Sequence, residues 1–380
     1  DSLRSRPTVT ADTGANVYLH IGAPKTGTTY LQSIMRKNRK TLSAEGVLYP
    51  GRGNAHFLAS MDLRDRGFAG YRDPAAKGAW RAVVRQSRRW RGDVVVLSHE
   101  TFSRAHRDDV ARAVESLAPA EVHVVYGTRN LIRQIPAVWQ ERVKNRDTMS
   151  YADFLAAIRS PEANETVHHR FWRAHGPVNV LDRWGSVIPP ERVHVMTVPQ
   201  SSSDPDALWN RFAETLGLDP YHYDRDVNRS NASLGVVEAE LLRRLNAIVP
   251  ETTEWPTYHT LVKRQLAELR LAQHETAVRL TTPPPEYEWV AQRADQIIRV
   301  LKQRGYHVVG DLDELRVDPP PAQPGLQPDD IDDSDILEMG MSTMFEMLSE
   351  WGTAKPHRMI PPDDSTPQPF GRLRRLLRRS

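Results

Sequence analysis

Val17-Tyr-Leu-His-Ile-Gly-Ala-Pro-Lys-Thr-Gly-Thr-Thr-Tyr-Leu-Gln32 runs from a short apolar strand, through a turn rich in glycine and hydroxyls, into a helix. At such a helix start the first backbone N–H groups have no intrahelical partner, and the helix dipole adds partial positive charge. Geometry alone therefore makes this bend an anion cradle, and a phosphate-like group is the natural occupant.

The position of the lysine decides which phosphate. Nucleoside triphosphate loops follow G-x-x-x-x-G-K-[ST], with the lysine directly after the second glycine. Gly22 and Gly27 keep the glycine spacing, but Thr28 occupies the lysine position and the cation stands earlier, at Lys25. A kinase using ATP and magnesium remains the rival enzyme class on the glycine spacing, with Lys25 and Thr28 against it.

The string Pro24-Lys-Thr-Gly-Thr-Thr29 resembles the 5′-phosphosulfate loop of the sulfotransferases, in the bacterial-type form of that domain. The resemblance implies the cofactor 3′-phosphoadenosine 5′-phosphosulfate (PAPS), with Lys25 at its bridging oxygen. Pro24, Thr26, Gly27, Thr28 and Thr29 would form the rest of the loop. Sulfuryl transfer breaks the bond from sulfur to the bridging oxygen, so charge grows on the phosphate leaving group and a cation there favours the transition state.

Further along, Glu121-Val-His-Val-Val-Tyr-Gly-Thr128 reads as a buried strand, with Arg129 at its carboxyl end, where α/β sheets hold ligands. Sulfotransferases place an Arg there for the 3′-phosphate, with a Ser and then an aromatic residue on the following helix. Arg129 and Trp139 match the Arg and the aromatic, whereas Ala137 stands at the Ser. Ala offers no donor, so another group must supply it, and Arg133 and Gln134 are the nearby candidates. An inactive sulfotransferase-like binding protein is the non-enzymatic reading that Ala137 keeps open. Arg225 and Arg229, before a helix expected over 236–246 and capped by Ser233, are candidates for a basic loop over the cofactor's 3′ end.

An alcohol or amine acceptor needs a base. The strand at 94–97 delivers His99 and Glu100 to the same sheet edge, and the resemblance implies a base at either position. His56, in the glycine-rich stretch after the first helix, is the third candidate for the base and lies near where sulfotransferases carry acceptor-side residues. Trp80, Trp90, Trp172 and Tyr151 are candidates for stacking on an acceptor, expected to lie among residues 51–90, 140–175 and 250–305.

The expected fold is α/β, a mainly parallel sheet flanked by helices as in the sulfotransferases, with a helical C-terminal extension. Strands are expected at 17–21, 94–97, 122–126 and 193–198. A helix is expected to start at Pro205, with Asp204 as its cap and Gly217 as its stop, and further helices at 258–273 and 286–302. The organisation reads as a flexible 1–15, an α/β domain at 16–250, a helical 251–317, and a linker, apolar-striped helix and basic tail at 318–380.

Composition narrows the partners. Lys plus Arg number 51 against 48 Asp plus Glu in 380 residues, a net charge of +3, which gives no basis for nucleic-acid binding. Only eight of those cations are lysine, and Arg forks suit phosphate and sulfate. Cysteine is absent, excluding disulfides and thiolate chemistry. The expected acceptor is a small molecule, glycan or lipid; no metal is called for. The chain reads as soluble and cytoplasmic, with peripheral membrane contact a candidate role for the tail at 370–380.

Overall fold

The computed structural model describes residues 15–200, 204–227, 233–274 and 277–353. Arg229 and the basic tail, both singled out above, lie outside them. The chain divides into two units, Asp1–Asp332 and Asp333–Ser380.

The first unit is built on six parallel strands, β1 Asn16–Gly22, β2 Val47–Leu48, β3 Val94–Ser98, β4 Val122–Thr128, β5 Val193–Thr197 and β6 His307–Val309. They lie in the order β2-β3-β1-β4-β5-β6, flanked by helices, so the expected fold class holds. The four strands expected from sequence are the central ones. Their β-branched runs bury both faces, as parallel sheets require, whereas the edge strands β2 and β6 are too short to leave such a run.

Leu19, Val96, Val125 and Val195 are fully buried along the sheet's middle. On one face, helix α1 (Thr28–Lys37) and the helix Ala207–Thr215 bring Leu31, Ile34, Trp209 and Phe212 into one core with Val96 and Val125. Each such side chain contributes about 1.5–3 kcal/mol by leaving water.

Chain order fixes where the site falls. From β1 the chain moves to one side to form β2 and β3, then crosses to the other side for β4, β5 and β6. The carboxyl end of β1 is therefore the point where strand order reverses, which opens a crevice in doubly wound sheets. The register of β1 with β4 shifts between His20 and Gly22, as β1 turns into its loop.

Several local expectations are corrected. Asp204 does not cap the following helix: its carboxylate accepts from Asp206 N at 2.9 Å, a local turn, and Asp206 is the N-cap. Gly217, with φ of +70°, does follow the helix end. Gly235 rather than Ser233 caps the helix Val236–Ile248, because Gly235 is held extended by a bridge to Arg279. The helical stretch expected at 258–273 is a short turn, Trp255–Tyr258, running into a π-helix, His259–Glu268. The 251–317 segment, expected to be helical, also contains strand β6.

In the second unit the helix Asp333–Thr353 carries Leu337, Met341, Met344 and Leu348 at helical spacing. No helix among the described residues is long and apolar enough to cross a membrane.

Four histidines are held neutral inside the first unit. Burial, the largest cause in each case, pushes His20, His56 and His194 down to about 4 and His175 to about 3. His194 also sits in a ladder, its Nε2 3.0 Å from His123 Nδ1 and its Nδ1 2.9 Å from His307 Nδ1, so each neighbour opposes its protonation. Below the unfolded value of 6.5 the unfolded chain takes up protons that the folded chain refuses, so stability falls as pH falls from 6.5 towards 4. A tenfold difference in proton affinity is worth about 1.4 kcal/mol, and these groups together should cost several kcal/mol by about pH 4. Urea unfolding at about pH 7.5, 6 and 4.5 checks this; a midpoint that does not move across that range would contradict it.

Candidate active site

The loop after β1 has three backbones at positive φ, Gly22 at +94°, Lys25 at +68° and Gly27 at +83°. Alternation of this kind turns successive N–H groups to one side and forms an anion-binding nest. Helix α1 follows with Gly27 as its N-cap, no side-chain cap and no acid in its first turn, so its leading N–H groups keep their capacity for an anion. Two glycines here are required by space. A Cβ on Gly27 would lie 2.3 Å from Leu208 Cδ2, and one on Gly22 would lie 2.9 Å from the Cα of Glu100.

The loop is braced from behind. Thr26, 1% exposed, donates to the carbonyl of Ala23 at 2.6 Å, so this hydroxyl supports the loop from within. Gln134 donates to the Pro24 carbonyl and Arg129 to the Lys25 carbonyl, each at 3.3 Å. The Thr28 hydroxyl bonds to the Glu100 carboxylate, while Thr29 is exposed at the helix start.

Lys25 Nζ lies 3.3 Å from Glu141 Oε2. The same carboxylate takes Lys263 at 2.8 Å and Lys144 at 3.5 Å. Burial works against its ionisation, but Lys25, Lys263 and Lys144 outweigh burial and hold Glu141 well below the usual carboxylate range. Three ammoniums on one carboxylate leave a surplus of positive charge, with Lys25 held in place on the side of the loop.

Both base candidates arrive on the turn after β3. For Glu100, burial is opposed by His99, by its own N–H and by the Thr28 hydroxyl, and the balance holds the carboxyl below its ordinary value. His99 is kept neutral by burial first, with Arg64, Arg104 and Arg36 opposing the help of Glu100. Thr101 N donates to His99 Nδ1 at 3.2 Å, and the Thr101 hydroxyl lies 2.7 Å from the same atom. A backbone donor on Nδ1 places the neutral ring's proton on Nε2, so the free face of His99 donates and does not accept. His56 is arranged alike, its Nδ1 taking Ser98 N at 3.3 Å. It is 6% exposed and lines a smaller cavity of about 190 Å³ that it shares with His99.

At the end of β4, Arg129 forms no ion pair with a carboxylate among the described residues. Burial first, then Arg133 and Arg279, lowers its pKa to about 10. The two replacements considered for the missing Ser are divided by the fold. Gln134 is buried and spent on the loop, whereas Arg133 stays exposed beside Arg129 and donates to the Gln200 carbonyl. Trp139 is 1% exposed, donates to the Met149 carbonyl at 3.0 Å and belongs to the core. Arg225 is paired with Asp206 at 2.8 Å.

A cavity of about 890 Å³ opens beside Lys25. Its walls come from residues 64–70, 104–106, 138–148 and 170–175, which fits two of the three acceptor stretches expected from sequence; 250–305 contributes no lining residue. Trp80, Trp90, Trp172 and Tyr151 do not line it. Trp80, Trp172 and Tyr151 are buried, and Trp90 donates to the Gly46 carbonyl, because their rings have core neighbours. Glu141 and Arg279 escape a reading of the sequence. Glu141 shows only an ordinary charge pair with Lys144 at helical spacing, and Arg279 belongs to no motif.

No family model matches the chain, and no curated protein matches it. Among solved structures it is similar to a sulfotransferase from Alicyclobacillus acidocaldarius, at 17% identity over 67% of this chain and 98% of that one, with a TM-score of 0.38.

Gly22→Ala would press a methyl against the Glu100 backbone and force an Ala to positive φ, so we expect a loss of about 1–3 kcal/mol in stability together with loss of anion binding at the loop. Urea unfolding and phosphate titration of the same protein measure both, and a variant that matches the parent in both would show that Gly22 does not set this contact.

Proposed function

We propose that the protein is a sulfotransferase that moves a sulfuryl group from PAPS to a hydroxyl or amine. The observation that carries this reading is the meeting, at the carboxyl end of β1, of an uncapped helix start, a lysine set before the second glycine and an ionised carboxylate that hydrogen-bonds the loop. PAPS supplies the sulfuryl group and the phosphate leaving group, and the residues present fit it. The nest and the first N–H groups of α1 suit the 5′ end, and Arg129, Arg133 and Arg279 form a cluster of cations suited to the 3′-phosphate.

Lys25 stabilises the charge that grows on the departing phosphate oxygen, and the ammonium surplus around Glu141 strengthens that field. Glu100 takes the proton from the acceptor as the new bond to sulfur forms. His99, with its proton on Nε2, donates a hydrogen bond and orients the acceptor. The products are a sulfated acceptor and adenosine 3′,5′-bisphosphate.

Calorimetry with adenosine 3′,5′-bisphosphate, without metal, tests the donor site. We expect binding that weakens about ten- to a hundredfold in Arg129→Ala. Magnesium-dependent turnover of ATP, with no affinity for the bisphosphate, would overturn the assignment. For the base, Glu100→Gln should lower kcat about a hundredfold or more, while His99→Asn should change it much less and mainly raise KM for the acceptor. The opposite order of effects would transfer the role of base to His99.

A further inference from the structure

The cavity beside Lys25 has an unusual charge balance. Seven arginines and Lys25 line it against two carboxylates, Glu141 and Asp147. Both acids are already engaged, Glu141 by its three lysines and Asp147 by Arg142. Arg146 is tied to the carbonyls of Thr253 and Pro250, and Arg173 lies 3.0 Å from His106 Nε2. Arg64, Arg66, Arg104 and Arg170 form no close ion pair and no side-chain hydrogen bond among the described residues, although Glu100 and Glu141 act on Arg104, and Asp109 on Arg64, at longer range. The buried Nε of Arg64 and that of Arg142 are without an acceptor as well.

Guanidiniums gathered in excess over the carboxylates near them repel one another, and an anionic guest relieves that repulsion. The donor's own phosphates do not account for them. Of the loop, only Pro24 and Lys25 reach this cavity, and Arg129, Arg133 and Arg279 are not among its walls. The same arginines surround the base candidates, since Arg64 and Arg104 both act on His99. The walls are helical segments and a turn, with no strand edge among the lining residues, so an extended peptide would find no backbone ladder here. The volume, about 890 Å³, is on the scale of small-molecule sites.

We infer that this cavity takes an acidic, saccharide-sized acceptor that already carries two or more fixed carboxylate, sulfate or phosphate groups beside the hydroxyl to be modified. This rests on the transferase reading above for what happens to that hydroxyl, but the binding itself does not. The arginines hold the fixed anions by paired N–H bonds, and the hydroxyl is thereby held in the same cavity as Lys25.

Direct binding tests it without turnover. The full chain is titrated by calorimetry with a sulfated uronate disaccharide, a hexose bisphosphate, neutral cellobiose and a Glu-rich peptide. We expect at least one of the two anionic sugars to bind at least about tenfold more tightly than cellobiose, with affinity falling as salt rises. Which of the two binds better distinguishes carboxylate and sulfate from phosphate as the source of charge. Arg66→Glu with Arg170→Glu should weaken that binding about tenfold or more while leaving affinity for adenosine 3′,5′-bisphosphate unchanged. Arg66→Gln with Arg170→Gln, a milder change at two exposed sites, should give a smaller loss in the same direction.

Equal binding of cellobiose and the anionic sugars, tighter binding of the peptide, or charge-reversed protein that binds like the parent would each overturn the inference. If the acidic sugars bind and the bisphosphate does not, the donor assignment fails and the acidic site stands. The reverse pattern keeps the donor site and removes this one.

Discussion

Strand β1 and strand β3 leave the sheet side by side, and their exits touch because residue 22 has no side chain. The Cα of Glu100 occupies the space that any Cβ there would need. From this contact the rest of the site follows. It brings the carboxylate of Glu100 to the Thr28 hydroxyl in the first turn of α1, so a candidate base and an anion cradle share one bend. An acid beside an anion site would ordinarily weaken it. Here the carboxylate is offset by the helix start, by Lys25 and by arginines on the cavity side.

Charge is distributed unevenly in the fold. With a net charge of only +3, the chain is close to balanced as a whole, yet the cavity beside Lys25 is lined by far more cations than carboxylates. Glu141 organises part of this concentration by gathering three lysines from three separate stretches of chain. Arg129, Arg133 and Arg279 form a second group beyond the loop. Lys25 is the cation that the cradle shares with the cavity. Its backbone is left-handed, at φ of +68°, and its side chain stands at the boundary between the two.

The sequence made the centre of the fold legible and left its edges obscure. β1, β3, β4 and β5 announced themselves because strands buried on both faces must be continuously apolar; β2 and β6, two and three residues long, carry no such signature. Lys25, Glu100 and Arg129 were readable because each sits in, or directly after, a recognisable strand. Sequence leaves His99 and Glu100 equal as candidates for the base, since it does not show which nitrogen of His99 receives the Thr101 N–H. Likewise the cavity arginines come from four stretches far apart in sequence, and only folding shows that they outnumber the carboxylates that line the same cavity. The aromatic candidates failed for a related reason. A tryptophan's composition-level signal is the same in a core as on a sugar platform, and Trp172 is covered by its own fold, donating to the Ile158 carbonyl at 2.8 Å.

The two sides of the site differ in how firmly they are built. The loop is braced by bonds from Thr26, Gln134 and Arg129, so its shape exists before any ligand arrives, and binding there orders little. The cavity has the opposite character, with several exposed arginines that hold to nothing and must lose rotamer freedom to grip a guest. On the transferase reading proposed above, a rigid loop beside an adaptable cavity would favour one fixed leaving-group geometry with tolerance in what receives the transferred group. Discrimination among acceptors would then depend on where their fixed charges fall relative to Arg64 and Arg104, the two that stand nearest His99 in charge influence, more than on the shape of the remainder.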